Sequence, residues 1–162
     1  MKKLLFLIAM TAMTTATAQA QEVYNYLRGS VQNTISDPKS TDAARQVAQF
    51  KLDALNYMAM KMQEQMPDSS IAMLDRQAYA LNLFVSYYMK QMVEMSKQPD
   101  VLQMKMTRKF MDASYCHPLF NDRDKELVLS YFNNSKMLTR FSLDTNWEAA
   151  LAVIYREVNG EE

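Results

Sequence analysis

The chain has 162 residues, 49% of them hydrophobic and 22% charged, with 18 basic side chains matched by 18 acidic ones. That balance excludes the strongly basic surface of a nucleic-acid or anionic-membrane binder. Two glycines and a single cysteine exclude a turn-rich β protein and an internal disulfide framework.

The amino terminus reads as a cleavable secretory signal over residues 1–20. Lys2 and Lys3 form its positive region, Leu4 to Met10 its apolar core, and Ala18-Gln19-Ala20 an A-x-A cleavage site. The apolar run is far shorter than the roughly 20 residues of a membrane-spanning helix. No cysteine lies near the cut to carry a lipid, so the expected product is exported, periplasmic or extracellular, and not a lipoprotein. Residues 21–162 are then one helical domain, since the length suits a single core. Losing Lys2 and Lys3 leaves 16 basic and 18 acidic residues, a net charge of −2. No later segment is long and apolar enough to span a bilayer; the richest, Ala78 to Met89, is interrupted by Asn82 and Ser86.

Helical periodicity fills most of the remaining chain, with Pro38, Pro67, Pro99 and Pro118 at the joints. Val23, Leu27, Val31 and Ile35, four apart, predict a first helix. A second begins near Thr41-Asp42 and ends before Pro67. Its stripe is Val47, Ala54, Met58 and Met62, flanked by Phe50, Leu55 and Tyr57, with Gln46, Gln49, Asp53, Asn56 and Gln63 opposite. After Asp68-Ser69-Ser70, the third helix carries Ile71, Leu74, Ala78, Leu81, Val85, Tyr88, Met92 and Met95 at steps of three and four. Tyr79, Leu83, Phe84, Tyr87 and Met89 make its middle apolar on most sides, leaving a polar seam of Asp75, Asn82, Ser86 and Lys90. Such a helix belongs at the centre.

A fourth helix, Asp100 to Tyr115, is expected to bury Leu102, Met106, Phe110 and Ala113. Asn121, with Asp124 three residues on, reads as the cap of a short helix through Leu127, Val128 and Tyr131. Residues 133–143 are read as a loop or a brief extended segment. Thr145 and Glu148 fit a capping box for a last helix that buries Trp147, Leu151, Ile154 and Val158 and ends at Asn159-Gly160. The expected fold is all-α, a compact bundle of five or six helices with mostly antiparallel neighbours. Arg45-Gln46, Leu52 and Tyr57-Met58 recur as Arg76-Gln77, Leu83 and Tyr88-Met89, but one helix fills that period, so two helices of like composition explain the echo better than a tandem repeat.

Three stretches resemble small exported all-helical proteins of Bacteroidetes. They are Ala48-Gln49-Phe50-Lys51; Phe110-Met111-Asp112-Ala113-Ser114 with Pro118, Phe120, Asp122 and Asp124 behind it; and Phe141-Ser142-Leu143-Asp144-Thr145 ahead of Trp147. That group has no assigned activity, so the resemblance implies a location and a fold and transfers no site.

The residues offer little chemistry. Cys116 and His117 are the only cysteine and histidine; neighbouring side chains diverge, which opposes a nucleophile–base pair. The thiol is expected to be buried and inert, with an intermolecular bridge as the other reading. Zinc sites draw three or four ligands from Cys, His, Asp and Glu, and di-iron bundles need Glu-x-x-His pairs that are missing here. Asp122, Asp124 and Glu126 read as helix-terminal acids. Lys105, Arg108 and Lys109, with Asp112 on the same face, read as a mixed-charge solvated surface. No catalytic, cofactor-binding or metal residue is therefore assigned, and no cofactor.

Methionine is the anomaly, with 15 in the chain, including Met58, Met60, Met62 and Met66 on helix two and Met89, Met92 and Met95 on helix three. Thioethers select Cu(I); they also fill irregular core gaps and suit adaptable binding surfaces. The favoured reading is an exported, non-enzymatic binding or interaction module with a protein or peptide partner in the cell envelope. The alternative is a Met-based Cu(I)-binding envelope protein. An apolar groove rimmed by methionines would favour the first. Intact-mass measurement of the exported protein should show cleavage between Ala20 and Gln21; an intact Met1 would overturn the signal assignment.

Overall fold

The computed structural model describes residues 22–67, 71–129, 131, 134 and 136–160. The signal segment 1–20, Gln21, Asp68-Ser69-Ser70 and Asn133 lie outside the described residues, as do the side chains of Ile71 and Asn159. Six α-helices occur among the described residues: α1 (Glu22–Ser36), α2 (Asp42–Gln65), α3 (Ile71–Glu94), α4 (Asp100–Tyr115), the single turn α5 (Lys125–Val128) and α6 (Trp147–Asn159). A 3₁₀ turn, Met95–Lys97, follows α3. The protein is an all-α bundle.

Local chemistry sets the boundaries. Thr41 caps α2 by accepting a hydrogen bond from the Ala44 N–H. The Arg45 guanidinium reaches back to the carbonyls of Asp37 and Pro38, fixing the turn between α1 and α2. Gly160, with φ 72°, closes α6 in the left-handed conformation that glycine adopts without strain.

Helix α3 is central: α1, α2, α4 and α6 all pack against it. Leu74, Ala78, Leu81, Phe84, Val85 and Tyr88 are buried along it. Tyr79, expected to help make the middle apolar all round, is instead 56% exposed; its phenol lets an aromatic body end in water. On α4, Phe110 and Ala113 are buried as expected, but Leu102 is exposed, and Thr107 and Ser114 are buried. The two hydroxyls can enter the core because each finds a partner. Thr107 donates to the Gln103 carbonyl at 3.0 Å, and Ser114 Oγ lies 2.9 Å from Thr145 Oγ1.

Two caps differ from the sequence reading. Asp124, not Asn121, caps α5 by accepting from the Leu127 N–H. Asn121 has φ 52°, a left-handed position that Asn tolerates, and turns the chain before the helix begins. Asn146, not Thr145, caps α6, accepting from the Ala149 N–H. Thr145 is unavailable because its hydroxyl bonds the Ser142 carbonyl at 2.8 Å. Glu148 in turn accepts from Gln77 and pairs with Arg76.

The chain from 139 to 146 has no regular secondary structure, yet Thr139 and Phe141 to Thr145 are buried. Phe141 plugs the bundle, edge-on to Phe50, Phe84 and Tyr88 at 5.7, 5.2 and 5.1 Å between ring centroids. Trp147 adds edge contacts with Phe50 and Phe84. Leu81 belongs to the same core, 1% exposed, whereas Met60 on the outer side of α2 is 42% exposed. Leu81→Ala should therefore cost about 2–5 kcal/mol and Met60→Ala less than about 0.5 kcal/mol, read as denaturation midpoints. Similar midpoints for the two variants would contradict this packing.

Candidate functional site

The residues weighed from sequence are scattered. Cys116 follows the last turn of α4 and is exposed, not buried: at the end of the helix its side chain clears the core that Phe110 and Ala113 occupy. His117 is half-buried, its carbonyl accepting from the Asn146 N–H at 2.6 Å. Among the described residues no hydrogen bond joins the Cys116 and His117 side chains, and no three His, Cys, Asp or Glu side chains gather to form a metal site.

The acidic cluster divides by role. Asp122 accepts from the Tyr57 hydroxyl at 2.9 Å and pairs with Lys61 at 3.1 Å, tying the 117–124 loop to α2. Burial pushes its carboxyl pKa up, but bonds from the Asp124 N–H, Lys61 and Tyr57 outweigh it, and the net direction is down. Burial, then the bond to Asp122, raise the Tyr57 hydroxyl. Asp124 caps α5, and Glu126 is exposed. On the nominally polar side of α2, Asp53 accepts from the Tyr131 hydroxyl.

The methionines spread over several environments. Met58 and Met62 are in the core; Met92 is half-buried, its Sδ 3.4 Å from Thr107 Oγ1. Met104 is 71% exposed.

Met104 belongs to a groove of about 590 Å³ along α4, lined by Val101, Met104, Lys105, Thr107, Arg108, Met111, Asp112 and Arg140. Val101, also largely exposed, and Met111 give it an apolar floor and rim. Lys105, Arg108 and Arg140 surround it with three cations against one carboxylate, and none of the three is in an ion pair among the described residues. Lys109, grouped with Lys105 and Arg108 on sequence spacing, instead donates to the Glu157 carbonyl on α6 at 3.0 Å. Arg140 takes its place from a segment 32 positions beyond Arg108. Only the folded chain could bring it there.

A second cleft, about 430 Å³, opens where α1, α2 and α3 meet. Its lining contains one ionisable side chain, Lys51, whose Nζ donates to Asn82 Oδ1 at 2.8 Å. Burial pushes the Lys51 ammonium down to about 8. Sequence reasoning passed over this residue, yet a signal existed. Lys51 falls in the heptad of Val47, Ala54, Met58 and Met62, where the apolar stripe should continue.

No protein-family model, curated protein or solved structure matches the chain.

Because the folded-state value of Lys51 lies below that of a free lysine, the unfolded chain binds the extra proton between about pH 8 and 10.5. The penalty is in full force below pH 8 and vanishes above 10.5. Lys51→Met should thus stabilise the protein at pH 7 by on the order of 1–3 kcal/mol, and the gain should shrink at pH 10. Urea denaturation of both proteins at the two pH values checks this; a gain unchanged by pH would contradict it.

Proposed function

We propose that this protein is an exported, non-enzymatic binding module whose α4 groove receives an acidic, amphipathic segment of a protein partner in the cell envelope. The single observation that carries the reading is the groove itself: exposed Val101 and Met104 beside Lys105, Arg108 and Arg140, none of which is in an ion pair among the described residues. Unbranched thioethers adapt to varied apolar side chains, and a cationic rim steers and orients an anionic partner. A helix with apolar residues at i, i+3, i+4 and i+7 and acids alongside them fits such a surface. Export rests on the Lys2-Lys3, Leu4–Met10 and Ala18-Gln19-Ala20 pattern. No helix among the described residues is long and apolar enough to cross a membrane.

A fluorescent helical peptide built from Leu and Glu at that spacing is the direct probe, with a Leu/Lys peptide of the same pattern as control. The acidic peptide should bind and the basic one should not. Arg108→Glu combined with Arg140→Glu should weaken binding at least tenfold, about 1.4 kcal/mol, and Met104→Glu should do the same. Equal affinity for both peptides, or binding indifferent to these changes in folded variants, would overturn the reading.

A further inference from the structure

The second cleft is built from other elements and has different chemistry. Its walls are mainly apolar, with Leu27 and Val31 of α1, Val47 and Ala48 of α2, and Met89 of α3, and the hydroxyls of Ser30, Thr34 and Thr41 add polar positions. Its volume lies within the range of about 300–1,000 Å³ typical of small-molecule sites. No Asp or Glu lines it. An ammonium offers three donors, and among the described residues Asn82 Oδ1 is the one acceptor that Lys51 meets.

Lys61, one helical stretch further along α2, shows how this protein treats a lysine it needs only for structure. It pairs with Asp122 at 3.1 Å and with Glu64 at 3.3 Å. Lys51 has no carboxylate partner among the described residues. A cation withdrawn from water into apolar surroundings is costly unless a counter-charge meets it, and a leucine or methionine at this heptad position would have completed the stripe.

We propose that the α1/α2/α3 cleft binds a small aliphatic carboxylate, its anionic head paired with Lys51 Nζ beside Asn82 and its chain lying against Leu27, Val47 and Met89. One cation selects a monoanion, and the walls select an alkyl chain. No arginine among the described residues lines the cleft, so the bidentate fork that commonly holds phosphate is missing from it. The site requires no contribution from the α4 groove, so either can fail without the other.

Isothermal titration of the purified protein with octanoate, octanol and acetate tests it. Octanoate should bind at one site per chain, with octanol and acetate each at least tenfold weaker. Lys51→Met should lower octanoate affinity at least tenfold while leaving octanol unchanged. Ser30→Trp, placed on the exposed side of α1 at the cleft, should block octanoate without touching the lysine. Octanol binding as tightly as octanoate would reduce the cleft to an apolar groove and overturn the assignment. So would octanoate binding that survives both substitutions, or no octanoate binding by a folded protein at millimolar concentration.

Discussion

A stretch of chain that is buried without being helical must find partners for its backbone outside any regular ladder. In residues 139–146 the N–H groups of Ser142, Leu143 and Asn146 donate to Ser114 Oγ, the Val128 carbonyl and the His117 carbonyl, while the facing loop is satisfied by Asp144. Its carboxylate accepts hydrogen bonds from the N–H groups of Leu119, Phe120 and Asp122 at 2.9, 2.7 and 2.8 Å. These are charge-assisted bonds in a buried setting, among the stronger kind a protein can make. They fold the 117–122 loop around the segment. Ser114 and Thr145 then close the other side: Ser114 Oγ accepts from the Ser142 N–H at 3.0 Å and shares a hydrogen bond with Thr145. Phe141 can sit between α2 and α3 because this polar knot holds its backbone.

The same region organises the last helix. Gln77, 1% exposed in the second turn of α3, accepts from the Trp147 N–H at 2.7 Å and donates to Asn146 and Glu148. One amide side chain on the central helix thus satisfies a free donor at the start of α6 and orients its capping residue. Trp147 enters the aromatic cluster as a consequence. Trp147 Nε1 and Thr139 Oγ1 have no hydrogen-bond partner among the described residues, a cost borne next to extensive aromatic burial. The stretches Phe110–Ser114 and Phe141–Thr145 supply Ser114, Ser142, Asp144 and Thr145 to this knot. Their role in the fold is structural.

Both surfaces considered for binding lie away from the knot, and they differ in how charge is handled. Along α4 Lys105 and Arg108 stand in solvent, where an unpaired charge is inexpensive and free to meet a partner. In the α1/α2/α3 cleft the cation is half-buried, where being unpaired is unfavourable. The first arrangement suits a broad, adaptable contact and the second a small ligand with one defined charge. Asp122, Tyr57 and Lys61 complete the contrast, since there a half-buried cation, a carboxylate and a phenol satisfy one another within the fold.

Periodicity by itself determined the five long helices, their order and the central position of α3, because burying an apolar stripe at three- and four-residue steps admits few alternatives. It also placed Met58, Met62, Phe50 and Leu81 in the core and Met60 outside it. The two misplaced caps, at Asn121 and Thr145, arose where several residues could cap by local rules and a distant partner decided among them: Asp144 for the loop and Ser114 for Thr145. Lys51 and Gln77 were legible as polar interruptions of apolar stripes, but their partners, Asn82 on one helix and Asn146 and Trp147 at the start of another, were not. Arg140 beside Lys105 and Arg108 was beyond any local signal. Sequence periodicity fixes which face of a helix turns inward; which polar groups then meet depends on how separate helices are packed, and only the tertiary structure decides that.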